Sequence, residues 1–372
     1  MHIFYSSIMM IKRQTTVIIF ALFLTLGFTD SNNSTWECYS EYDITYLTSN
    51  TYTTKTRELE KAVIRAKIWT IHTSDSLFEM TENAIEDGFQ NLINVFKDAG
   101  ILVTLYDQEN IYSDSLYYFA SYGRPFELMQ SHTVNTFMNF YYLPNINYTD
   151  GTLTGYGQAF NTPGNELFVA GNECKYVGTN LVCYDLANTF IPIHELGHCL
   201  GLLHTHTTTN GEEHVIREDE FYDSSCEINC DYAGDLLCDT EASKSVKDDV
   251  FYDGYECLYD LVEVDTCGYI YQPQIDNFMS YTHFECGDSF TTEQIDKMFY
   301  NIEINNVVSQ TIITLGDMND DLELNVLDVI LVVNAILSED AVSDINLWLG
   351  DLNDDWLLNI LDIVQFVTII LN

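Results

Sequence analysis

The chain has 372 residues, of which 47% are hydrophobic, so it is long enough for a sizeable core and for two or three domains. Its 57 acidic residues outnumber 14 basic ones and give a formal net charge of -43. Nucleic acids and anionic membrane surfaces would repel such a chain, so both are excluded as expected partners. The acidity favours solubility, cation binding or a salty medium, and plain solvation of an extracellular surface explains it equally well.

The N-terminus has the pattern of a secretory signal peptide. Lys12 and Arg13 precede an apolar run over residues 15–28. That run is short for a membrane span, so residues 1–29 are predicted to be a removed signal peptide. No small-x-small cleavage site follows the run, which leaves an uncleaved anchor open. Residues 30–59 are predicted to be an N-terminal arm or a short pro-segment.

Residues 60–305 alternate between strand-like and helix-like patterns. β-branched residues predict a strand over residues 62–72, and helical spacing of apolar residues predicts a helix over 81–99 that Gly100 ends. The remaining predictions are strands over 101–106, 136–143 and 165–171 and helices over 189–203 and 291–302. This strand–helix–strand order predicts an α/β (α+β) domain, with a twisted sheet stacked on helices.

The predicted helix over 189–203 contains a metal-binding pattern. Residues 194–204 read HELGHCLGLLH, which has the form HExxHxxGxxH of an extended zinc signature. His194 and His198 are four residues apart and share one helix face, so both can bind one ion. Gly201 permits a positive φ that ends the helix and brings in His204 as a third ligand. Three histidines leave a fourth position for water, as in catalytic zinc sites.

A second motif is centred 75 residues after His204. Residues 277–281 read NFMSY, the form of a Met-turn, with Met279 at its centre. A methionine among aromatic residues is usually part of a core, so this pattern means little alone. Its presence in the same chain as the zinc signature makes both interpretations stronger.

Ten cysteines in an exported chain predict disulfide bonds. Cys174 and Cys183 flank a short loop and are candidates for one bridge. Six others surround the region between the zinc motif and the Met-turn: Cys226, Cys230, Cys238, Cys257, Cys267 and Cys286. Sequence alone does not give their connectivity. Cys199, inside the zinc helix, is predicted to be a buried free thiol. Cys38 is open between a zinc ligand that enforces latency, a disulfide partner and a free thiol.

The C-terminal part is an internal repeat with a period of 34 residues, since residues 316–328 recur as 350–362. Oxygen side chains fall at loop positions 1, 3, 5, 9 and 12, the spacing of an EF-hand-type calcium loop. The candidate calcium residues, including position 7, are Asp317, Asn319, Asp321, Glu323, Asn325 and Asp328 in the first loop and Asp351, Asn353, Asp355, Leu357, Asn359 and Asp362 in the second. The repeat therefore predicts about two Ca²⁺ sites.

Position 6 of such loops is normally glycine, but here it is Leu322 and Trp356. If that position needs a positive φ, each residue costs about 1–2 kcal/mol, and weak calcium affinity is expected. A helix is predicted after each loop. The apolar stretches in these helices have two open interpretations: a face that docks a partner, or the core of a small helical pair.

Two resemblances follow from these motifs. Residues 60–305 resemble the pappalysin/cytophagalysin-type metzincins, and residues 315–372 resemble a type I dockerin, with 306–314 as a linker. Beyond the two signatures, the first resemblance rests on residues 155–160 (GYGQAF), on Gly234-Asp235 with Asp239-Thr240, and on Cys286 with residues 290–294 (FTTEQ). Two positions depart from that family's pattern: Glu241 replaces the usual proline, and His206 replaces the usual phenylalanine.

The metzincin resemblance implies a second sub-domain after the zinc motif. It also implies that Met279 forms a hydrophobic base beneath the metal and that Tyr281 hydrogen-bonds the oxyanion. The dockerin resemblance implies a small all-α module that binds a cohesin-like scaffold protein.

The sequence thus predicts a secreted zinc-dependent endopeptidase that acts on protein or peptide substrates. Glu195 is expected to accept a proton from the attacking water and to donate it to the leaving amine. The strand around residues 166–170 has two open roles, pairing with an extended substrate or serving as an ordinary sheet edge. The alternative function is a non-catalytic extracellular or surface binding protein on the same fold, but the intact Glu195 argues against it.

Overall fold

The structure is a computed structural model that describes residues 59–72, 80–112, 128, 131–143, 156–177, 180–217, 226–247, 249–338 and 341–371. For residues 172–177 and 180–184 it describes the backbone and not the side chains. The predicted signal peptide, nearly all of the predicted arm and Cys38 lie outside these ranges. None of the helices within them has the length and apolar composition that crossing a membrane requires.

Six strands form one mixed, mostly parallel sheet. Its longest strands, β1 (Ala62–His72) and β2 (Ile101–Tyr112), are parallel and are joined by α1 (Glu82–Asp98). β3 (Met138–Leu143) pairs in parallel with β1. β4 (Gly157–Ala159) is short and antiparallel to β5 (Glu166–Ala170), which is in turn parallel to β3. The fold is therefore the predicted α/β type.

The first predicted elements agree closely with the structure, apart from the length of β2. β1 has the predicted bounds, and α1 starts at an N-cap where the Thr81 side chain accepts the Ala84 N–H. β2 extends six residues beyond its predicted end. The prediction stopped short because the second half of the strand is polar and gives no strand signal in the sequence. Lys67 on β1 binds Asp107 and Glu109 there, so ion pairs stabilise the polar half of the strand.

The two faces of β1 pack against different parts of the molecule, because successive side chains point to opposite faces of a strand. Ile64, Ala66 and Ile68 face the main core, which also contains α1 and the zinc-motif helix. Val63 faces the other way, into a cluster with Trp348 of the C-terminal repeat. β1 is therefore buried on both faces.

A hairpin leads from the sheet to the zinc motif. β6 (Asn172–Val177) and β7 (Asn180–Asp185) are antiparallel, with Cys174 and Cys183 directly opposite in register. The side chains there are not described, so their predicted bridge remains a prediction. A short 3-10 helix (Leu186–Asn188) then precedes α2 (Ile191–Cys199), the zinc-motif helix.

The segment after the zinc motif is largely irregular and is crosslinked by three disulfides. Its described residues contain one small hairpin, β8 (Val250–Tyr252) with β9 (Cys257–Tyr259). The bridges join Cys226 to Cys267, Cys230 to Cys238 and Cys257 to Cys286, so the prediction of bridges among these six cysteines is confirmed. Crosslinks of this kind restrict the unfolded chain where regular structure is sparse.

The C-terminal part returns to the sheet. After α3 (Thr292–Ile304), a 3-10 helix (Val308–Thr311) leads to β10 (Ile312–Ile313), which pairs antiparallel with β1. The predicted linker 306–314 thus includes a sheet strand, which two residues could not reveal in the sequence. The repeat contains α4 (Val326–Leu337), α5 (Asp344–Gly350) and α6 (Ile360–Leu371), of which α4 and α6 follow the two loops as predicted.

The repeat is fixed to β1 by charges as well as by apolar contacts. Arg65 forms a two-point ion pair with Asp320, with Nε donating to Oδ2 at 2.7 Å, and Lys61 contacts Asp354 at 2.7 Å. Both cations are buried, and Asp320 and Asp354 occupy the same position in the two loops. Whether residues 315–372 fold separately stays a prediction.

Candidate metal centre

The zinc-motif helix is shorter than predicted. α2 ends at Cys199 instead of Leu203, because Gly201 has a φ of 94° that helical backbone cannot adopt. The chain turns there, as the sequence predicted, and brings His204 back to the helix. Gly197 faces the Met-turn, where a Cβ at that position would lie 2.6 Å from the Met279 sulfur. The glycines of the motif therefore make both close approaches possible.

The three predicted zinc ligands meet at one point. Their Nε2 atoms are 3.1 Å apart for His194–His198, 3.2 Å for His194–His204 and 3.0 Å for His198–His204. Ligand nitrogens around a tetrahedral zinc ion are about 3.4 Å apart, since Zn–N distances are about 2.1 Å. Among the residues that the structure describes, this is the one cluster of three or more His, Cys, Asp or Glu ligand atoms within 4.8 Å of one another.

Burial keeps the histidines neutral, the state in which imidazole binds metal. It lowers the pKa of His194 to about 4 and the pKa of His198 and His204 well below the usual value. His194 Nδ1 donates to the Phe278 carbonyl at 2.6 Å, and His198 Nδ1 donates to the Leu202 carbonyl at 2.7 Å. These bonds leave both Nε2 lone pairs facing the centre, so the donor set fits a zinc ion.

Glu195 lies beside this cluster and is fully buried. It belongs to α2 and is not part of the ligand group. β4 passes directly over it, since a Cβ at Gly157 would lie 2.5 Å from Glu195 Oε1. Only glycine leaves room at this position for the carboxylate and the strand together.

One prediction about the sheet is wrong. The strand around residues 166–170 is not an edge, because β5 pairs with β3 on one side and β4 on the other. β4 is the last strand of the described sheet on this side, and it is the strand next to Glu195. The sequence gave little signal for β4, which has only three residues and includes Gly157.

The Met-turn residues lie next to the histidines, as the resemblance implied. Met279 is fully buried beneath α2. The Tyr281 ring is 4.5 Å from the His204 ring, measured between centroids. His206, which the sequence marked only as a departure, stacks on His204 at 5.1 Å and lies 4.4 Å from Tyr281. Burial lowers the pKa of His206 to about 4.

The predicted calcium residues form two matching loops. Asp317 accepts the N–H groups of Asp321 and Leu322, and Asp351 accepts those of Asp355 and Trp356. Asp328 and Asp362 accept further backbone N–H groups and are fully buried like the first aspartate of each loop. Leu322 and Trp356 have φ values of 68° and 59°, which is the expected strained turn. The other candidates are Asn319, Glu323, Asn325, Asn353, Leu357 and Asn359, and they lie on the same loops.

Two buried carboxyl groups follow the zinc motif. Glu213 and Asp235 are about 95% buried, at 5% exposure each. Burial raises the pKa of Glu213 to about 8 and the pKa of Asp235 to about 7, and each has one oxygen without a hydrogen-bond partner in the described structure. Arg217 pairs with the other Glu213 oxygen. The sequence singled out Asp235 by resemblance but gave no signal for Glu213.

Comparisons of the sequence with protein-family models and with curated proteins give no match. Among solved structures, two of mirolysin are similar. Mature mirolysin of Tannerella forsythia with a cleaved peptide aligns at a TM-score of 0.45 and 14% identity, over 68% of this chain and 96% of that one. Mirolysin with a bound compound aligns at 0.42 and 14%, over the same shares. Likeness at this level does not by itself establish a shared activity.

Proposed function

We propose that the protein is a secreted zinc-dependent endopeptidase of the pappalysin-like metzincin type. The observation that carries the proposal is the convergence of three neutral histidine Nε2 atoms beside the buried carboxylate of Glu195. His194, His198 and His204 would hold the ion. A zinc ion there supplies Lewis acidity toward water and toward a carbonyl oxygen.

The protein's own groups carry the proton transfers and the positioning. Glu195 accepts a proton from the attacking water at its carboxylate and delivers it to the leaving nitrogen of the peptide. The outer edge of β4 pairs with the backbone of an extended substrate, which places the scissile bond over Glu195. Tyr281, whose ring lies 4.5 Å from that of His204, donates a hydrogen bond to the developing oxyanion.

Hydrolysis of casein or gelatin by the purified chain tests this function. We expect activity that 1,10-phenanthroline abolishes, that its non-chelating isomer leaves intact and that added zinc restores. A zinc-loaded, folded protein without hydrolysis would favour the alternative of a non-catalytic binding protein on the same fold.

The C-terminal repeat is proposed to bind about two calcium ions and to dock a partner protein, with a cohesin-like scaffold as the candidate. Support comes from the matching loops and from the helices that follow them. Many apolar side chains of α4 and α6 are exposed, among them Leu327, Ile330, Leu361 and Val364. The charged residues of these helices, Asp328 and Asp362, are buried. In so acidic a chain, an uncharged apolar face of this kind favours a protein partner.

An extracellular location is proposed on the three disulfides, which form and persist in oxidising compartments. Mass spectrometry of the unreduced, exported protein tests it. Six free thiols at Cys226, Cys230, Cys238, Cys257, Cys267 and Cys286 would overturn the assignment.

A further inference from the structure

α3 carries two fully buried amide side chains, Gln294 and Asn301. They are seven residues apart, which places them two turns apart on one face of the helix. Neither amide hydrogen-bonds to a histidine of the metal centre. Each one instead contacts a turn whose backbone carbonyl accepts a hydrogen bond from one of these histidines.

Gln294 holds the Met-turn through a reciprocal amide pair. Its Nε2 donates to Asn277 Oδ1 at 3.1 Å, and Asn277 Nδ2 donates to Gln294 Oε1 at 2.9 Å. Asn277 Oδ1 also accepts the Met279 N–H at 2.9 Å, which closes the turn. The carbonyl inside this turn belongs to Phe278, and it is the acceptor for His194 Nδ1. The amide pair therefore fixes the group that orients His194.

Asn301 holds the turn at the other end of the motif. Its Nδ2 donates to the carbonyls of Leu200 and Lys297, both at 2.9 Å. A Cβ on Gly201 would overlap this amide, so the side chain lies flat against the turn. Two residues after Leu200, in the same turn, the Leu202 carbonyl is the acceptor for His198 Nδ1.

The burial of Asn301 is costly in itself. Its Oδ1 has no hydrogen-bond partner among the described residues, and an unsatisfied buried polar group destabilises the fold. An apolar side chain would avoid that cost, but it could not donate to the carbonyls of Leu200 and Lys297. The amide is therefore suited to hold the turn.

We propose that Gln294 and Asn301 are positioning residues, through which α3 sets the orientation of His194 and His198 from 100 and 103 residues away in sequence. Each amide fixes a turn, and a backbone carbonyl within that turn accepts the Nδ1 proton of one histidine, which leaves its Nε2 free for metal. The inference rests on the proposed metal site and adds a determinant of its affinity. α3 thus acts on both ends of the motif at once.

The test uses the full-length protein with Gln294→Glu and Asn301→Asp, which keep the side-chain size and remove the donor. We expect zinc and cobalt to bind about 10- to 100-fold more weakly and the visible spectrum of the cobalt-loaded protein to change. Asn139→Asp is the matched control. That amide is also fully buried and donates to the carbonyls of Phe137 and Val134, but it lies outside the metal centre. It should lose thermal stability and keep normal metal affinity.

Normal metal affinity and an unchanged cobalt spectrum in both folded variants would overturn the inference. So would an equal loss of affinity in Asn139→Asp. If the acidic variants do not fold, Gln294→Met and Asn301→Leu remove the donors without a buried charge. NMR of the unsubstituted metal-free protein gives a further check, because a proton on Nε2 of His194 and His198 would contradict the inference directly. Failure of the unsubstituted protein to bind zinc would instead refute the proposed function.

Discussion

The histidine centre and the repeat loops are both ion-binding patterns in the sequence, yet they are held in different ways. Asp317 accepts N–H groups four and five residues further along its own loop. His194 donates to a carbonyl 84 residues away, and the turn before His204 is fixed by Asn301 from α3. The loops depend on hydrogen bonds within a short stretch of sequence. The histidine centre depends on residues from distant parts of the domain, so distant substitutions should affect it and leave the loops unchanged.

The largest effect is expected from Glu195→Ala. The carboxylate is not a ligand, so the variant should bind zinc normally and lose about 10²–10⁴-fold in turnover. Zinc content and peptide hydrolysis are measured on the same purified sample. His204→Ala is the companion variant, and it should weaken zinc binding itself because one of three ligands is gone. Near-normal turnover in zinc-loaded Glu195→Ala would refute the assigned mechanism.

Gly157→Ala probes the same site from another strand. The added methyl group would lie 2.5 Å from Glu195 Oε1, so the carboxylate must shift, and turnover should fall roughly 10- to 100-fold with zinc retained. Gly350→Ala makes a similar overlap with Leu358 in the repeat and serves as the control. Equal turnover in the two variants would show that β4 does not constrain Glu195.

Asp317→Ala probes the loops. In the unsubstituted protein, calcium at ten times its dissociation constant should add about 1.4 kcal/mol per occupied loop to the free energy of unfolding. The variant should lose part of that gain and keep normal zinc affinity and turnover. Asp351→Ala should in addition be less stable without calcium, because Asp351 also contacts Lys61 just before β1. Identical melting curves with calcium and with a calcium chelator would leave the loops without an ion-binding role.

The smallest effect concerns pH. The pKa of Glu213 is raised from 4.5 to about 8, and the pKa of Asp235 is raised from 3.8 to about 7. Each carboxyl group therefore stays protonated in the folded state over a pH range in which it is ionised in the unfolded state. Their contribution to stability is therefore present below about pH 4 and is lost as pH rises toward 8. The negative charges of Glu241 and Asp239 raise the pKa values of Glu213 and Asp235 respectively, and the positive charge of Arg217 lowers both. We expect the melting temperature to fall over this range, and Glu213→Gln to flatten the slope. A wild-type melting temperature that rises with pH would contradict this.

The local part of the metal centre was predictable from the sequence. Helical spacing placed His194 and His198 on one face, and Gly201 predicted the turn that brings in His204. The positive φ at Leu322 and Trp356 was likewise expected from loop position alone. In each case the interacting groups are within about ten residues, so the spacing determines the geometry.

The non-local part was not predictable. β4 and β10 have three and two residues and exist only because longer strands lie beside them. The positioning roles proposed for Asn301 and Gln294 depend on α3 lying against the turn after α2 and against the Met-turn, which no local pattern in the sequence indicates. The polar half of β2 was missed for the same reason, since its partner Lys67 lies on another strand.

Two cations, one just before β1 and one within it, have a consequence for the evolution of this chain. Lys61 and Arg65 are 3% and 5% exposed, and their partners Asp354 and Asp320 belong to the repeat. If recombination removed the repeat, both charges would lose their partners, and Val63 between them would lose its apolar cover. A module that recombines freely would not form such buried ion pairs with the neighbouring domain. We expect descendants that lack the repeat to carry uncharged polar residues at both positions. The residue types at these two positions therefore indicate whether the two halves were inherited together.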